Sequence, residues 1–443
     1  MKTVRIGAGA GYSGDRIEPA AELAEKGGLD YLVFECLAER TIALAQKARM
    51  RDPLAGYDPL LEERMEAVLG VCARRGICIV SNMGAANPAA AAEKAREIAQ
   101  RMGLRGLRIA TVSGDDVIEP LRSGVVAAQP LEGPLPPVER WLSANAYLGV
   151  APILDALATG ANVILTGRVA DPALFLAPLI HEFGWNLEDW DLLGQGTVVG
   201  HLLECAGQLT GGYFADPGRK DVPGLAYLGF PLAEVGADGS AVFSKVEGSG
   251  GLLNRATCTE QLLYEIQDPA AYYTPDVIAD FSQVSIEEAG RDRVRVTGAA
   301  GRMRPATLKV SIGYHDGFFG EGQISYAGPN ALARAELARE ILAERLFCAG
   351  FADLHFDFIG LNSIHGPRLS LQGAVPYEVR LRAAGRAESH AAAARLVREV
   401  EALYTNGPAG GGGASGSTKE MIAIASALVP RSCVLPRVEI LES

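Results

Sequence analysis

Short apolar runs alternate with amphipathic stretches through the first half of the chain. The runs at 3–8, 30–34, 77–81, 107–112 and 162–165 are apolar almost throughout, the pattern of strands buried on both faces. Apolar positions recur at helical spacing over 16–26, 38–50, 60–75, 88–102, 147–159, 172–183 and 192–209. Strand–helix alternation of this kind predicts a parallel sheet covered by helices. The stretch 125–138 is rich in proline and reads as a surface excursion. Beyond Gly211, glycine and proline break up short β-like runs. Ala237-Asp238-Gly239 reads as a hairpin turn between 231–235 and 241–246.

The last third has an order of its own: strand 307–314, helix 330–347, strand 353–359, strand 377–382, helix 388–404, strand 433–440. The expected fold class is therefore α/β, with an N-terminal parallel sheet and flanking helices, doubly wound and Rossmann-like. It is followed by an α+β C-terminal domain of ferredoxin-like, split βαβ type. The expected domains are 1–300, with a β-rich insertion at about 211–300, and 301–443 with its glycine-rich loop.

Composition narrows the function classes. A formal net charge of -12 repels phosphate backbones and argues against nucleic acid. The seven cysteines are odd in number and form no Cys-x-x-Cys pair, which speaks against a disulfide framework and a zinc knuckle. The N-terminus lacks the shape of a signal peptide, and no apolar run reaches the ~18–20 residues of a membrane span. The expectation is a cytoplasmic protein without a membrane partner.

In open parallel sheets, ligands bind beyond the carboxyl ends of the strands. Gly9, Gly11, Gly14 and Asp15 follow the first predicted strand, Glu35 the second and Asn82 the third. Ser113 and Asp115 follow the fourth; Thr166, Arg168 and Asp171 follow the fifth. These ends suit a small anionic ligand. Gly9-Ala10-Gly11-Tyr12-Ser13-Gly14 also has the G-x-G-x-x-G form, and Glu35 stands where a ribose-binding acid belongs. NAD is thus a candidate cofactor. Asp15 argues against it, because a carboxylate repels pyrophosphate. A tight turn capped by Asp15 is the competing reading.

Asn406-Gly407-Pro408 stops a helix and leads into Gly410, Gly411, Gly412 and Gly413, then Ser415 and Lys419. This is not a Walker loop, since Ser417 stands where lysine is required. Ser417 and Glu420 form a capping-box pair that predicts a short helix. Glycine amides, a helix start and Lys419 would suit an anion, and a flexible linker is the alternative. His201 and Glu204, at i and i+3 on a helix, are a candidate metal pair or a surface pair. His315 and Glu321 lie in a glycine- and aromatic-rich segment. Asn362 and His365 follow the predicted strand 353–359. Both histidines are acid–base candidates, because imidazole titrates near neutral pH.

Taken together, these segments resemble the acyclic terpene utilisation family. The resemblance is carried by the turn at 6–15, Asp30-Tyr31-Leu32-Val33-Phe34-Glu35, Thr166-Gly167-Arg168-Val169-Ala170-Asp171-Pro172 and Gly211-Gly212-Tyr213-Phe214-Ala215-Asp216-Pro217. Gly320-Glu321-Gly322 and the loop at 406–413 complete it. It implies a place in the degradation of branched isoprenoid acids, which pass through acyl-CoA thioesters. The favoured expectation is a hydro-lyase acting on such an acid or its CoA thioester. His315, His365, Glu321 and Asp171 would form the acid–base pool; Arg168 and the glycine-rich loop would clamp the anion. A nicotinamide-dependent dehydrogenase is the second reading. A ligand-binding or scaffold subunit is the third. Some relatives carry a further small C-terminal domain, and this chain stops soon after Ile440. A separate small partner protein is therefore expected beside a homo-oligomer.

Overall fold

The structure is a computed structural model that describes residues 2–351, 353–370 and 376–443. The chain forms two compact units. One runs up to Gly313 and includes Ile424–Ser443; the other is Tyr314–Ala423.

In the first unit, β1 (Thr3–Ala10), α1 (Glu18–Lys26), β2 (Tyr31–Phe34), α2 (Glu39–Arg51), α3 (Leu61–Arg75), β3 (Cys78–Ser81), α4 (Pro88–Arg101) and β4 (Arg108–Ser113) follow in turn. Local chemistry sets the ends. Gly76 closes α3 in the left-handed region at φ 72°, and Asn87 caps α4 ahead of Pro88. The strand Val163–Thr166 inserts between β3 and β4, and all five strands run parallel. Their residues are buried on both faces, which is why they read as unbroken apolar runs.

The parallel strands therefore lie in the order 1-2-3-5-4. This is not the 3-2-1-4-5-6 order of a Rossmann fold, so the Rossmann-like expectation is corrected to a mixed sheet with a parallel centre. Antiparallel strands extend it at both ends. Pro231–Gly236 pairs with β1 and with Ala241–Lys245, which form the expected hairpin. On the other side Arg437–Glu442 pairs antiparallel with β4.

The crossovers carry a functional consequence. From β1 through β4 the chain moves across the sheet in one direction, with α1, α3 and α4 packed in sequence. From β4 it returns to Val163–Thr166 by way of helix Ala151–Ala158. That helix packs on Ala173–Phe183, which packs on Trp190–Leu203. Right-handed crossovers in opposite directions place the two helix layers on opposite faces. The segment that leaves β3 packs closely on the end of Val163–Thr166, where a Cβ on Gly84 would meet the Thr166 carbonyl oxygen at 2.5 Å, and cavities open instead between the segments that leave β2 and Val163–Thr166.

Leu354–Ile359, Glu378–Ala387, Thr307–Ala327 and Gly412–Pro430 are neighbours in that order, the second unit holding the last two from Tyr314 and up to Ala423. The helices Ala331–Cys348 and His390–Glu401 pack against Glu378–Ala387 and each other, around Tyr326, Leu342, Leu381 and Leu396. The strand beside Thr307–Ala327 is Gly412–Pro430, with Gln129–Pro130 paired on its outer side. The expected closing strand at 433–440 instead pairs with β4 in the first unit. The short helix expected from Ser417 and Glu420 is also replaced by strand. The run from Met421 to Val429 is rich in Ile, Val, Leu and Ala, and it fills an inner position of the sheet; tertiary pairing overrides the local cap. Among the described residues no helix is long and apolar enough to cross a membrane.

Candidate functional site

Two cavities adjoin at the carboxyl ends of the parallel strands, sharing Ala38, Asp171 and Glu265 in their walls. The larger, about 910 Å³, is lined by Glu39, Tyr147, Arg168 and Lys309 and has a mixed apolar and tyrosine wall. The smaller, about 600 Å³, is acidic and contains Asp15, Glu35 and Glu204.

Arg168 stands at the centre of this region. It is fully buried, and its guanidinium lies 4.2 Å from the centre of the Tyr147 ring. It donates to Asp171 and to the Leu37 carbonyl, and its Nε is buried without a hydrogen-bond partner. Burial works against its charge, but Asp171, Tyr147, Glu35 and Glu39 together keep it raised. The loop beneath is built for close approach. A Cβ on Gly167 would sit 2.3 Å from Asp115 Oδ1. Asp115 accepts from Arg168 N at 3.0 Å and from Asn145 Nδ2 at 2.8 Å. Burial pushes Asp115 up to about 6.

Glu35 is 8% exposed, and one of its oxygens accepts from Leu37 N at 2.8 Å and Asn82 Nδ2 at 2.9 Å. Burial, and then the charge of Asp171, push it up to about 8. Asp171 keeps 35% of its side chain exposed. Burial raises it, while Arg168 pulls it down. Glu35, Asp171 and Arg168 thus form one electrostatic unit at the crevice, with an acid that holds its proton at neutral pH.

The pair His201 and Glu204 is buried rather than on the surface. His201 Nδ1 lies 3.0 Å from Glu204 Oε1 and its Nε2 lies 3.2 Å from the Leu262 carbonyl oxygen. A carbonyl only accepts, so Nε2 carries the hydrogen. Burial lowers His201 to about 4, leaving Nδ1 as an acceptor and Glu204 as the donor. Burial and the charge of Asp171 raise Glu204 well above the usual range, which agrees with a protonated carboxyl. Both ring nitrogens are engaged within the protein. Among the described residues no group of three or more His, Cys, Asp or Glu side chains is placed to hold a metal ion.

The first glycine turn lines the smaller cavity through Gly11, Tyr12, Ser13 and Asp15, and it is closely packed. Gly9 lies inside β1, where a Cβ would meet the Phe34 ring at 2.7 Å. A Cβ on Gly11 would meet the Cys205 backbone at 2.5 Å, and one on Gly14 would meet the Tyr12 ring at 2.6 Å. The Gly11 amide, which a pyrophosphate would need, donates to Asp15 Oδ2 at 2.9 Å. Arg64 Nη2 takes the carbonyls of Tyr12, Ser13 and Asp15, and Arg64 Nη1 lies 2.9 Å from the buried Asp58.

Further expected residues have partners within the fold. Ser113 is in register with Arg437 at the end of β4, and the Thr166 hydroxyl donates to Gly167 O. His315, Glu321, Asn362, His365, Asn406, Gly410–Gly413, Ser415 and Lys419 belong to the second unit. There Glu321 is held by Arg382 at 2.8 Å and by Gln323 at 2.7 Å; burial raises its pKa, but these donors hold it below the usual carboxylate value. Asn362 Oδ1 accepts from Phe358 N and closes a turn, and His365 is exposed. Arg334 binds the Ala409 carbonyl, and Arg380 binds Gly413 O and Ser415 Oγ.

Four residues of the crevice were not anticipated: Glu39, Tyr147, Glu265 and Lys309. Glu39 Oε1 accepts from Lys309 Nζ at 2.6 Å and Tyr147 OH at 2.9 Å. In sequence Glu39 looks like an ordinary first-turn acid of a helix, and Lys309 like the polar phase of a strand.

Fold and site define a mixed α/β protein with two adjoining cavities, walled by buried carboxyls and an arginine, at the carboxyl ends of its parallel strands. The chain belongs to the acyclic terpene utilisation family, AtuA, whose family model matches residues 4–440. No curated protein and no solved structure matches it.

Proposed function

We propose that the chain is an enzyme of acyclic terpene utilisation that adds water to, or removes it from, a branched isoprenoid-type acid or its CoA thioester. The observation that carries this reading is the Glu35–Asp171 carboxyl pair sharing Arg168 where the two cavities meet. Hydration needs one group to take a proton from water and another to protonate carbon. Asp171, whose charged form Arg168 favours against the effect of burial, suits the base. Glu35, protonated at neutral pH, suits the acid. Lys309 is the half-exposed cation of the larger cavity and would hold the substrate's carboxylate or thioester oxygen. The mixed apolar wall would take the branched chain.

This reading moves the acid–base work from His315, His365 and Glu321 to Glu35, and retains Asp171. The dehydrogenase reading draws less support, because the Gly11 amide is spent on Asp15. The test is mass-spectrometric detection of water addition to branched 2-enoyl thioesters in ¹⁸O-labelled water, by the intact chain and by Glu35→Gln. Label incorporation that Glu35→Gln lowers by on the order of 10²-fold or more is expected. Incorporation that Glu35→Gln leaves unchanged would remove the pair from catalysis.

A further inference from the structure

A third cavity, about 270 Å³, lies against the N-terminus of helix Ala151–Ala158 and shares only Leu308 with the two above. Asp276 faces it. This residue is 6% exposed; its Oδ1 accepts from Val150 N at 3.0 Å, while its Oδ2 is buried with no partner. Arg304 and Arg431 line the same cavity, and their charges act on Asp276. Arg431 spends Nη2 on the carbonyls of Pro275 and Pro305, which fixes it beside the Asp276 segment. The remaining wall is largely apolar and includes Leu148, Leu187, Leu193 and Val434.

We propose that this cavity binds a short branched aliphatic hydroxy acid, with its carboxylate on Arg304 and Arg431 and its hydroxyl donating to Asp276 Oδ2. Charge decides the acid group. Two arginines and one carboxylate leave one net positive charge, which a monocarboxylate balances. The orphan oxygen decides the hydroxyl. A buried acceptor without a donor costs about 1–3 kcal/mol, and a ligand O–H supplies what the protein does not. An ammonium would also donate, but burying it against this apolar wall costs more than burying a hydroxyl. The volume, just below the roughly 300–1,000 Å³ of pockets for drug-sized ligands, sets the size. Gly149 makes the arrangement possible, since a Cβ there would sit 2.1 Å from Asp276 Oδ1. Burial pushes Asp276 up to about 6 while both arginines lower it, so it is an acceptor at pH 7.5. The site does not depend on the acid–base reading of the crevice.

Three probes on one carbon skeleton test it by calorimetry on the full chain at pH 7.5: 2-hydroxy-4-methylpentanoate, 4-methylpentanoate and leucine. The hydroxy acid is expected to bind at least about tenfold more tightly than either of the others. Arg304→Gln, at an exposed position, is expected to weaken it at least about tenfold without unfolding the chain. Leu187→Trp, which fills the cavity from a half-buried wall, is expected to abolish binding. Absence of binding at millimolar ligand, equal affinity for the two acids, or tighter leucine would overturn the proposal. So would unchanged affinity in either variant, which places the ligand elsewhere.

Discussion

Glu35 keeps its proton at a pH where an ordinary glutamate has lost it, and that has a consequence for stability. Its pKa rises from about 4.3 in the unfolded chain to about 8 in the fold. Between these values the folded state binds more protons than the unfolded one. Stability from this group is therefore complete below about pH 4.3 and is lost as pH rises to about 8. Glu35→Gln keeps an oxygen for Leu37 N and Asn82 Nδ2 and removes the titration. Urea unfolding should show the variant gaining stability over the parent at pH 9, by on the order of 2–4 kcal/mol relative to their difference at pH 5. A parallel pair of pH profiles would rule out a raised Glu35. Arg64 makes the opposite point about buried charge. Arg64→Met leaves Asp58 buried without its partner and releases three carbonyls of the first turn. A loss of about 3–5 kcal/mol in denaturant unfolding is expected.

At the scale of elements, the glycine-rich segment changes role. Four consecutive glycines suggest a loop that orders only on ligand binding. In the structure Gly412 already begins a strand, Ala414 N donates to Tyr404 OH, and Arg380 grips Gly413 O and Ser415 Oγ. Glycine is required here for space: a Cβ on Gly416 would meet Val397 Cγ1 at 2.5 Å and Glu321 O at 2.8 Å. Hydrogen exchange should find the amides from residue 418 onward slow in the free protein, and unchanged when a CoA thioester is added. Fast exchange that slows with ligand would restore the closing loop. The loop Thr166–Asp171 is the opposite case, with its close packing on Asp115 allowed by one small residue. Gly167→Ala pushes against Asp115 and should displace Arg168. The expected result is activity lost by on the order of 10²-fold with a smaller loss in thermal midpoint.

At the scale of the molecule, the end of the chain completes the large sheet. Arg437–Glu442 covers the edge of β4, whose amides would otherwise face solvent and invite pairing with another chain. A chain stopped at Pro430 should unfold at lower temperature and aggregate more readily than the full chain, measured by calorimetry and light scattering. An unchanged midpoint would show that β4 needs no cover. The large sheet also explains why the crevice lies where it does. Its residues come from β2, α2, two later loops and a strand near 309, and only the reversal of direction after β4 brings these ends together.

Periodicity alone determined the five parallel strands and the helices around them, because buried strands and amphipathic helices write their burial into apolar spacing. The strand ends alone pointed to Asp15, Glu35, Arg168 and Asp171, which line the two cavities, because a parallel sheet turns its carboxyl ends to one side. The order 1-2-3-5-4, the pairing of 437–442 with β4 and the strand at 412–430 were decided in three dimensions, since pairing partners distant in sequence leave no local pattern. The same holds for Glu39, Tyr147, Glu265 and Lys309. Glu39 and Lys309 have residue types their own elements tolerate anyway. Only the packed fold sets them around one arginine, where burial and neighbouring charge give ordinary side chains their chemistry.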